Sequence, residues 1–170
     1  MKLKGIYRTL IILLILALNI GCDQATKAMM RQHIQPFERY YFFSGHVTLL
    51  NVENTGAFLS LGNNLPNPFH FILLTLLPVL ALVGGLVYII VKKNITKTAL
   101  TGIIFVIGGG MGNLYDRIRY GSVTDFLYFQ YGIFQTGVFN VADVSIMVGV
   151  GLIILDAFIK SRQQAKQLEL

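Results

Sequence analysis

The chain carries five aspartates, Asp23, Asp116, Asp125, Asp143 and Asp156, set in or beside strongly apolar stretches. A carboxylate in a membrane helix costs about 2.5 to 3.5 kcal/mol at mid-bilayer and less near an interface, so such groups mark function by default. Two carboxylates sharing one site cannot both ionise cheaply, and one then keeps a proton while the other can take a proton from water. That pair of roles suits hydrolysis of a peptide bond. The same residues could instead cap helices, and Asp143, early in its helix, would gain from the helix dipole. Spacing alone leaves both readings open. Other nucleophilic routes have less support: no serine or cysteine has a base partner by motif, and His33, His46 and His70 lack the H-E-x-x-H spacing of a metal site.

The elements that must hold these aspartates are membrane helices. The sequence is 54% hydrophobic and 13% charged, with a mean hydropathy of +0.63, where soluble domains carry about 25% charged residues. The apolar excess falls in four runs, which is the pattern of a chain that uses lipid as solvent. The first, Thr9 to Cys22, continues at helical spacing through Asp23 and Gln24 to Lys27. The second, Phe69 to Val91, holds no charge and is interrupted only by Pro78, which membrane helices tolerate as a kink. The third, Ala99 to Leu114, is glycine-rich, and Gly108 and Gly112 have the small-xxx-small spacing of a tightly packed interior helix. The fourth, Phe139 to Ile159, has Asn140 and Asp143 in its first turn and Asp156 near its other end.

One membrane domain is expected, with helices over about 8–27, 69–91, 98–115 and 138–159 and outer segments over 28–68 and 116–137. In the outer segments, the β-branched and aromatic stretches Tyr40 to Ser60 and Val123 to Val138 predict short strands in a small sheet at the membrane surface, with Asn63 to Pro68 as a loop. The fold class is therefore an α-helical integral membrane protein with a small β-sheet. Four of the five aspartates, Asp23, Asp116, Asp125 and Asp143, map to the outer boundary, while Asp156 reads as an inner interfacial charge near Lys160.

Orientation follows from the basic residues. Lys2, Lys4 and Arg8, then Lys92, Lys93 and Lys97, then Lys160, Arg162 and Lys166 flank the same ends of the spans. The positive-inside rule places both termini in the cytoplasm. The net charge of +6 reflects this bias and attraction to anionic lipid, so no nucleic-acid partner is expected.

The N-terminus has a rival reading. A basic start, an apolar stretch and Gly21-Cys22 resemble a bacterial lipoprotein signal peptide that would be lipidated at Cys22. Asn19 stands where such signals carry leucine, three further spans follow, and Asp23 and Lys27 share one helical face at i, i+4. A retained first helix is preferred, with Cys22 expected as a small buried residue. As the single cysteine, it cannot form an internal disulfide.

Five motifs in order carry a family resemblance: Asp23-Gln24-Ala25-Thr26-Lys27, Asn54-Thr55-Gly56-Ala57-Phe58, Gly112-Asn113-Leu114-Tyr115-Asp116-Arg117, Val123-Thr124-Asp125-Phe126 and Phe139-Asn140-Val141-Ala142-Asp143. Together with the four-helix layout, they resemble the lipoprotein signal peptidase family (signal peptidase II, prolipoprotein signal peptidase) over nearly the whole chain. The resemblance implies an intramembrane aspartic endopeptidase of the bacterial cytoplasmic (inner) membrane, with its site near the outer face. It would remove signal peptides from diacylglyceryl-modified prolipoproteins on the amino side of the lipidated cysteine, without metal or cofactor and as a monomer. By motif match Asp125 and Asp143 form the catalytic dyad, Asn54, Asn113, Arg117 and Asn140 line the substrate site, and Asp23, Lys27 and Asp116 support it. Asp116 could equally form a structural ion pair with its neighbour Arg117, and turn geometry accounts for Gly56 and Gly121 without substrate contact. The alternative from another class is a small transporter or channel component whose aspartates bind or relay cations.

Overall fold

The computed structural model describes residues 5–57 and 61–168. The expectations placed on Lys2, Lys4 and Phe58, and on the strand stretch as far as Ser60, lie outside the described residues. Among the described residues, four helices are long and apolar enough to cross a membrane: α1 (Gly5–His33), α2 (Phe69–Val91), α3 (Lys97–Tyr120) and α4 (Val141–Leu168). The outer segments supply a four-stranded antiparallel sheet of β1 (Arg39–Phe42), β2 (Val47–Asn54), β3 (Val123–Tyr131) and β4 (Phe134–Gln135), in the order β1-β2-β3-β4.

The helix ends differ from expectation in ways the polar residues explain. Helix α1 runs on to His33 because Lys27 and Arg31, one turn apart, find acidic partners and need not mark its end. Helix α3 runs through Asp116 and Arg117 to Tyr120 and stops at Gly121, whose φ of 78° is the left-handed conformation of a helix C-cap. The outer segments are shorter to match. Helix α4 begins at Val141 because Asn140 caps it, and it continues past Ile159 to Leu168. In α2 the missing N–H of Pro78 interrupts the helical ladder, and a wider π-helical turn, Ile72–Leu76, precedes it.

Glycines bring the helices together, with α3 the most buried of the four. Gly102 and Gly109 lie against Gly149 and Ala142 of α4, while Gly108 and Gly112 lie against Asn19 and Asp23 of α1. The Gly108 and Gly112 pair therefore packs against the first helix and a second stripe seven residues apart packs against the last. Between the helices sits an apolar core of Ile12, Leu16, Ile89, Ile104 and Ile107. The other helix faces expose Leu, Val, Ile and Phe, as lipid-facing surfaces must. Cys22 is exposed, which corrects the buried position expected for it: the face of α1 that turns inward at this level is taken by Asp23.

Two connections tie the sheet to the helices. The C-cap Gly121 and Ser122 form a tight turn from α3 into β3. At the far side, Phe139 accepts from the backbone N–H groups of Phe126 and Leu127 and donates its own to Leu127, docking the start of α4 on β3. Strand β2 carries one extra residue between Leu49 and Val52, a bulge that brings Val52 opposite Asp125 and Asn54 opposite Val123.

Candidate active site

Asp143 sits in the first turn of α4, where its role starts as local chemistry. Its backbone N–H donates to Asn140 Oδ1 at 3.0 Å, and its Oδ2 accepts from the backbone N–H of Asn140 at 3.2 Å. This is the reciprocal capping arrangement of helix N-termini. Its second oxygen, Oδ1, accepts from Asn113 Nδ2 of α3 at 2.8 Å.

Asp125 lies on β3 and is 3% exposed. Its oxygens accept from Asn54 Nδ2 at 3.0 Å and from Asn140 Nδ2 at 2.6 Å. Asn140 thus stands between the carboxylates, holding Asp125 with its side chain and Asp143 with its cap. The Asp125 carboxyl is pushed up to about 6, first by burial away from water; the Asn54 hydrogen bond opposes this, the nearby Asp143 charge adds to it, and the Asn140 hydrogen bond opposes it again. A carboxyl in that range can hold or release a proton near neutral pH.

Asn54 ends β2 as an Asx turn: its Oδ1 accepts from Gly56 N–H at 3.0 Å while its Nδ2 reaches Ala57 O at 3.2 Å as well as Asp125. Arg117 of α3 donates to Gly56 O at 2.9 Å, its buried Nε has no partner among the described residues, and it lies within electrostatic reach of Asp143, Asp125 and Asp116. The local alternative for Asp116 is corrected here. Its carboxylate turns to Lys27 at 3.3 Å and Arg31 at 3.6 Å, not to its sequence neighbour Arg117. Adjacent helical residues point about 100° apart, so Asp116 faces α1 while Arg117 reaches the β2 turn.

Beneath the two carboxylates, Lys27 is fully buried and bonds Asp23 Oδ2 at 2.9 Å, Asp116 Oδ2 and Asn113 Oδ1 at 2.8 Å. Gln24 Nε2 joins Asp23 to Asp116, at 3.1 and 3.0 Å. Two aspartates against Lys27 and Arg31 balance formally, which a buried charge cluster requires. Asp23 Oδ1 also accepts from Ala142 N–H at 2.9 Å, bonding α1 to the residue before Asp143. All nine sequence candidates therefore fall in one connected cluster. Asp156 lies apart at the opposite end, held by Lys160 at 2.6 Å and Thr96 at 2.5 Å, as an interfacial charge.

Sequence reasoning missed Arg31 and Glu53. Arg31 also donates to Thr124 Oγ1 at 2.7 Å, and Glu53 accepts from Thr124 and Ser122 across the β2 and β3 pair. The signal available for Arg31 was its i+4 spacing from Lys27; Glu53 gave none, because its partners arrive from a strand about seventy residues away.

Comparison with known proteins places these motifs in a family. Residues 14–159 match the family described as Signal peptidase (SPase) II. The lipoprotein signal peptidase of Clostridioides difficile (strain 630) is 37% identical over 153 residues, covering 89% of this chain and 98% of the relative. That of Oleidesulfovibrio alaskensis is 35% identical over 154 residues, covering 89% and 96%. A solved structure described as a bacterial membrane enzyme, determined by the in meso method, overlays with a TM-score of 0.77 at 22% identity and covers 88% of each chain, a likeness of fold.

Proposed function

The chain belongs to the signal peptidase II family of membrane-embedded peptidases, and from that premise we propose that it is an aspartic endopeptidase acting through Asp125 and Asp143. Its substrates are prolipoproteins already carrying diacylglycerol, cut on the amino side of the lipidated cysteine. The observation that carries this reading is the pair of carboxylates held about one asparagine, Asn140, where the sheet meets two helix ends.

The chemistry needs one proton shared between the two acids. Water lies between them; its oxygen adds to the scissile carbonyl carbon as the ionised carboxylate takes a water proton. The protonated carboxyl donates to the carbonyl oxygen. When the tetrahedral intermediate collapses, the C–N bond breaks and a proton passes to the amine that leaves with the cysteine. Burial that raises Asp125 supports its role as the proton holder. Asn54 and Arg117 offer neutral and charged donors to an extended substrate backbone at the β2 turn. Asn113 and Asn140 orient the acids, and Asp23, Lys27 and Asp116 brace them.

The four helices and sheet act as a single membrane domain and a monomer in the bacterial cytoplasmic membrane, both termini inside. The signal peptide's apolar helix packs against the enzyme's helices with its acyl chains still in lipid. The test is gel-shift cleavage of a diacylglyceryl-modified prolipoprotein by wild type, Asp125→Asn and Asp143→Asn at matched folding. Cleavage by wild type and at least a thousandfold loss in both variants is expected. Variants that cut like wild type remove the dyad; a wild type that never cuts removes the peptidase reading in favour of cation relay.

A further inference from the structure

An asparagine side chain presents a carbonyl oxygen on one side and N–H₂ on the other in almost the same shape, so its neighbours decide which way it faces. Asn113 must face Asp143 with its N–H₂ if the Asp143 carboxylate is to be met by a donor, and in the structure it does, at 2.8 Å. Its oxygen faces the other way and accepts from two groups, Lys27 Nζ at 2.8 Å and Asn140 Nδ2 at 3.1 Å. Lys27 has three donors and no acceptor, so it can meet only the oxygen. It is fully buried, and its hydrogen bond to Asn113 Oδ1 is the side-chain link that carries it to the Asp143 carboxylate.

We infer that Lys27 is a positioning residue whose ammonium fixes the Asn113 amide with its N–H₂ toward Asp143. This rests on the dyad reading above and deepens it. The reason lies in what Lys27 separates. Its Nζ stands between Asn113 and the Oδ2 atoms of both Asp23 and Asp116. With the ammonium gone, those two acceptors draw the Asn113 N–H₂ to themselves, and its carbonyl swings to Asp143. A carbonyl oxygen facing a carboxylate is repulsive unless the carboxyl carries a proton there. Asp143 would then hold a proton to higher pH, and the ionised carboxylate that takes a proton from water would form only as pH rises. The Asn140 amide is set independently, because its oxygen is held by the Asp143 backbone N–H.

The charged groups facing this cluster are Asp23, Lys27 and Arg31 of α1, Asp116 and Arg117 of α3, Asp125 of β3 and Asp143 of α4, with Glu53 of β2 one residue beyond through Thr124. Loss of the Lys27 charge alone would disturb all of them. Loss of its hydrogen bond to Asn113 disturbs one amide, and the two effects separate by choice of variant.

The experiment measures kcat and KM against pH for Lys27→Met, which has neither charge nor donor, and Lys27→Gln, which keeps an N–H₂ donor but no charge. Wild type and the two dyad variants run alongside, and thermal unfolding in detergent reports folding. Lys27→Met is expected to lose at least tenfold in kcat at pH 7 with KM within about twofold, its kcat profile displaced toward alkaline pH. Lys27→Gln, which loses the same charge but keeps a donor to Asn113, is expected to show a smaller loss and a profile displaced less than that of Lys27→Met. If both variants share the wild-type profile and their losses follow unfolding temperature, Lys27 is structural only and the inference falls. If Asp125→Asn and Asp143→Asn still cut, the dyad reading itself fails first. Should Lys27→Met not fold, Lys27→Gln and Asn113→Leu are combined. Acting through Asn113, Lys27→Gln adds no kcat loss to Asn113→Leu, whereas additive losses overturn the inference.

Discussion

At the residue scale, burial ties the proton of Asp125 to stability. Its carboxyl ionises at 3.8 when unfolded and at about 6 when folded, burial being the main cause. The folded state therefore holds a proton that the unfolded chain has lost. The stability this contributes is complete below 3.8 and disappears as pH rises through about 6. Unfolding of wild type in detergent should show stability falling by roughly 2 to 3 kcal/mol over that window relative to Asp125→Asn, which has no proton to lose. Other titrating groups are common to both proteins and cancel in the difference. Parallel pH curves would show that Asp125 is solvated and its proton ordinary. The motifs made this residue legible in the sequence, as they did Asp143, Asn54 and Asn140. They could not say that Asp116 turns to Lys27 and Arg31, because ion-pair choice is set by which helix face meets which neighbour.

At the scale of elements, the spans themselves were legible, since length and apolarity suffice to identify a membrane helix. Their ends were not. Hydropathy stops where polar residues begin, but α1 and α3 continue for another turn or more because their polar residues pair with each other. Glycine spacing showed close packing without showing the partner: Gly108 and Gly112 meet α1, whereas Gly102 and Gly109 meet α4. The second contact bears directly on the site. A methyl on Gly109 would strike the backbone oxygen of Ala142, the residue before Asp143, and backbone cannot yield as a side-chain tip can. Gly109→Ala should cost about 1 to 3 kcal/mol by overpacking and lower kcat by tenfold or more. Gly84→Ala, with nothing within 4 Å of the added carbon, should stay within about 0.5 kcal/mol of wild type. Equal losses at the two positions would show that the α3 and α4 contact does not govern the response, since alanine is the better helix former at both.

At the scale of the molecule, charge divides the protein into two ends with different work. The end away from the sheet carries the exposed Lys92, Lys93 and Lys97, and its contacts are ties between helices: Arg8 donates to Lys92 O at 3.0 Å, joining α1 to α2, and Thr96 with Lys160 holds Asp156, joining α3 to α4. At the end that meets the sheet, Lys27 and Arg31 are matched by Asp23 and Asp116, and Arg117 by Gly56 and the surrounding carboxylates. The bias is set by Lys and Arg in short loops beside the spans, and Lys92, Lys93 and Lys97 fall within six residues of one such loop, so the chain should insert with them in the cytoplasm and the sheet outside. The test uses the single cysteine. In a Cys22→Ala background, Asn64→Cys in the loop before α2 and Lys93→Cys in the loop after it place one thiol at each exposed end. A membrane-impermeant maleimide applied to intact spheroplasts should label the thiol at position 64 and leave that at position 93 until the membrane is permeabilised. The reverse pattern would invert the molecule and put the paired aspartates on the cytoplasmic side, where a signal peptide crossing outward could not present its cleavage site to them.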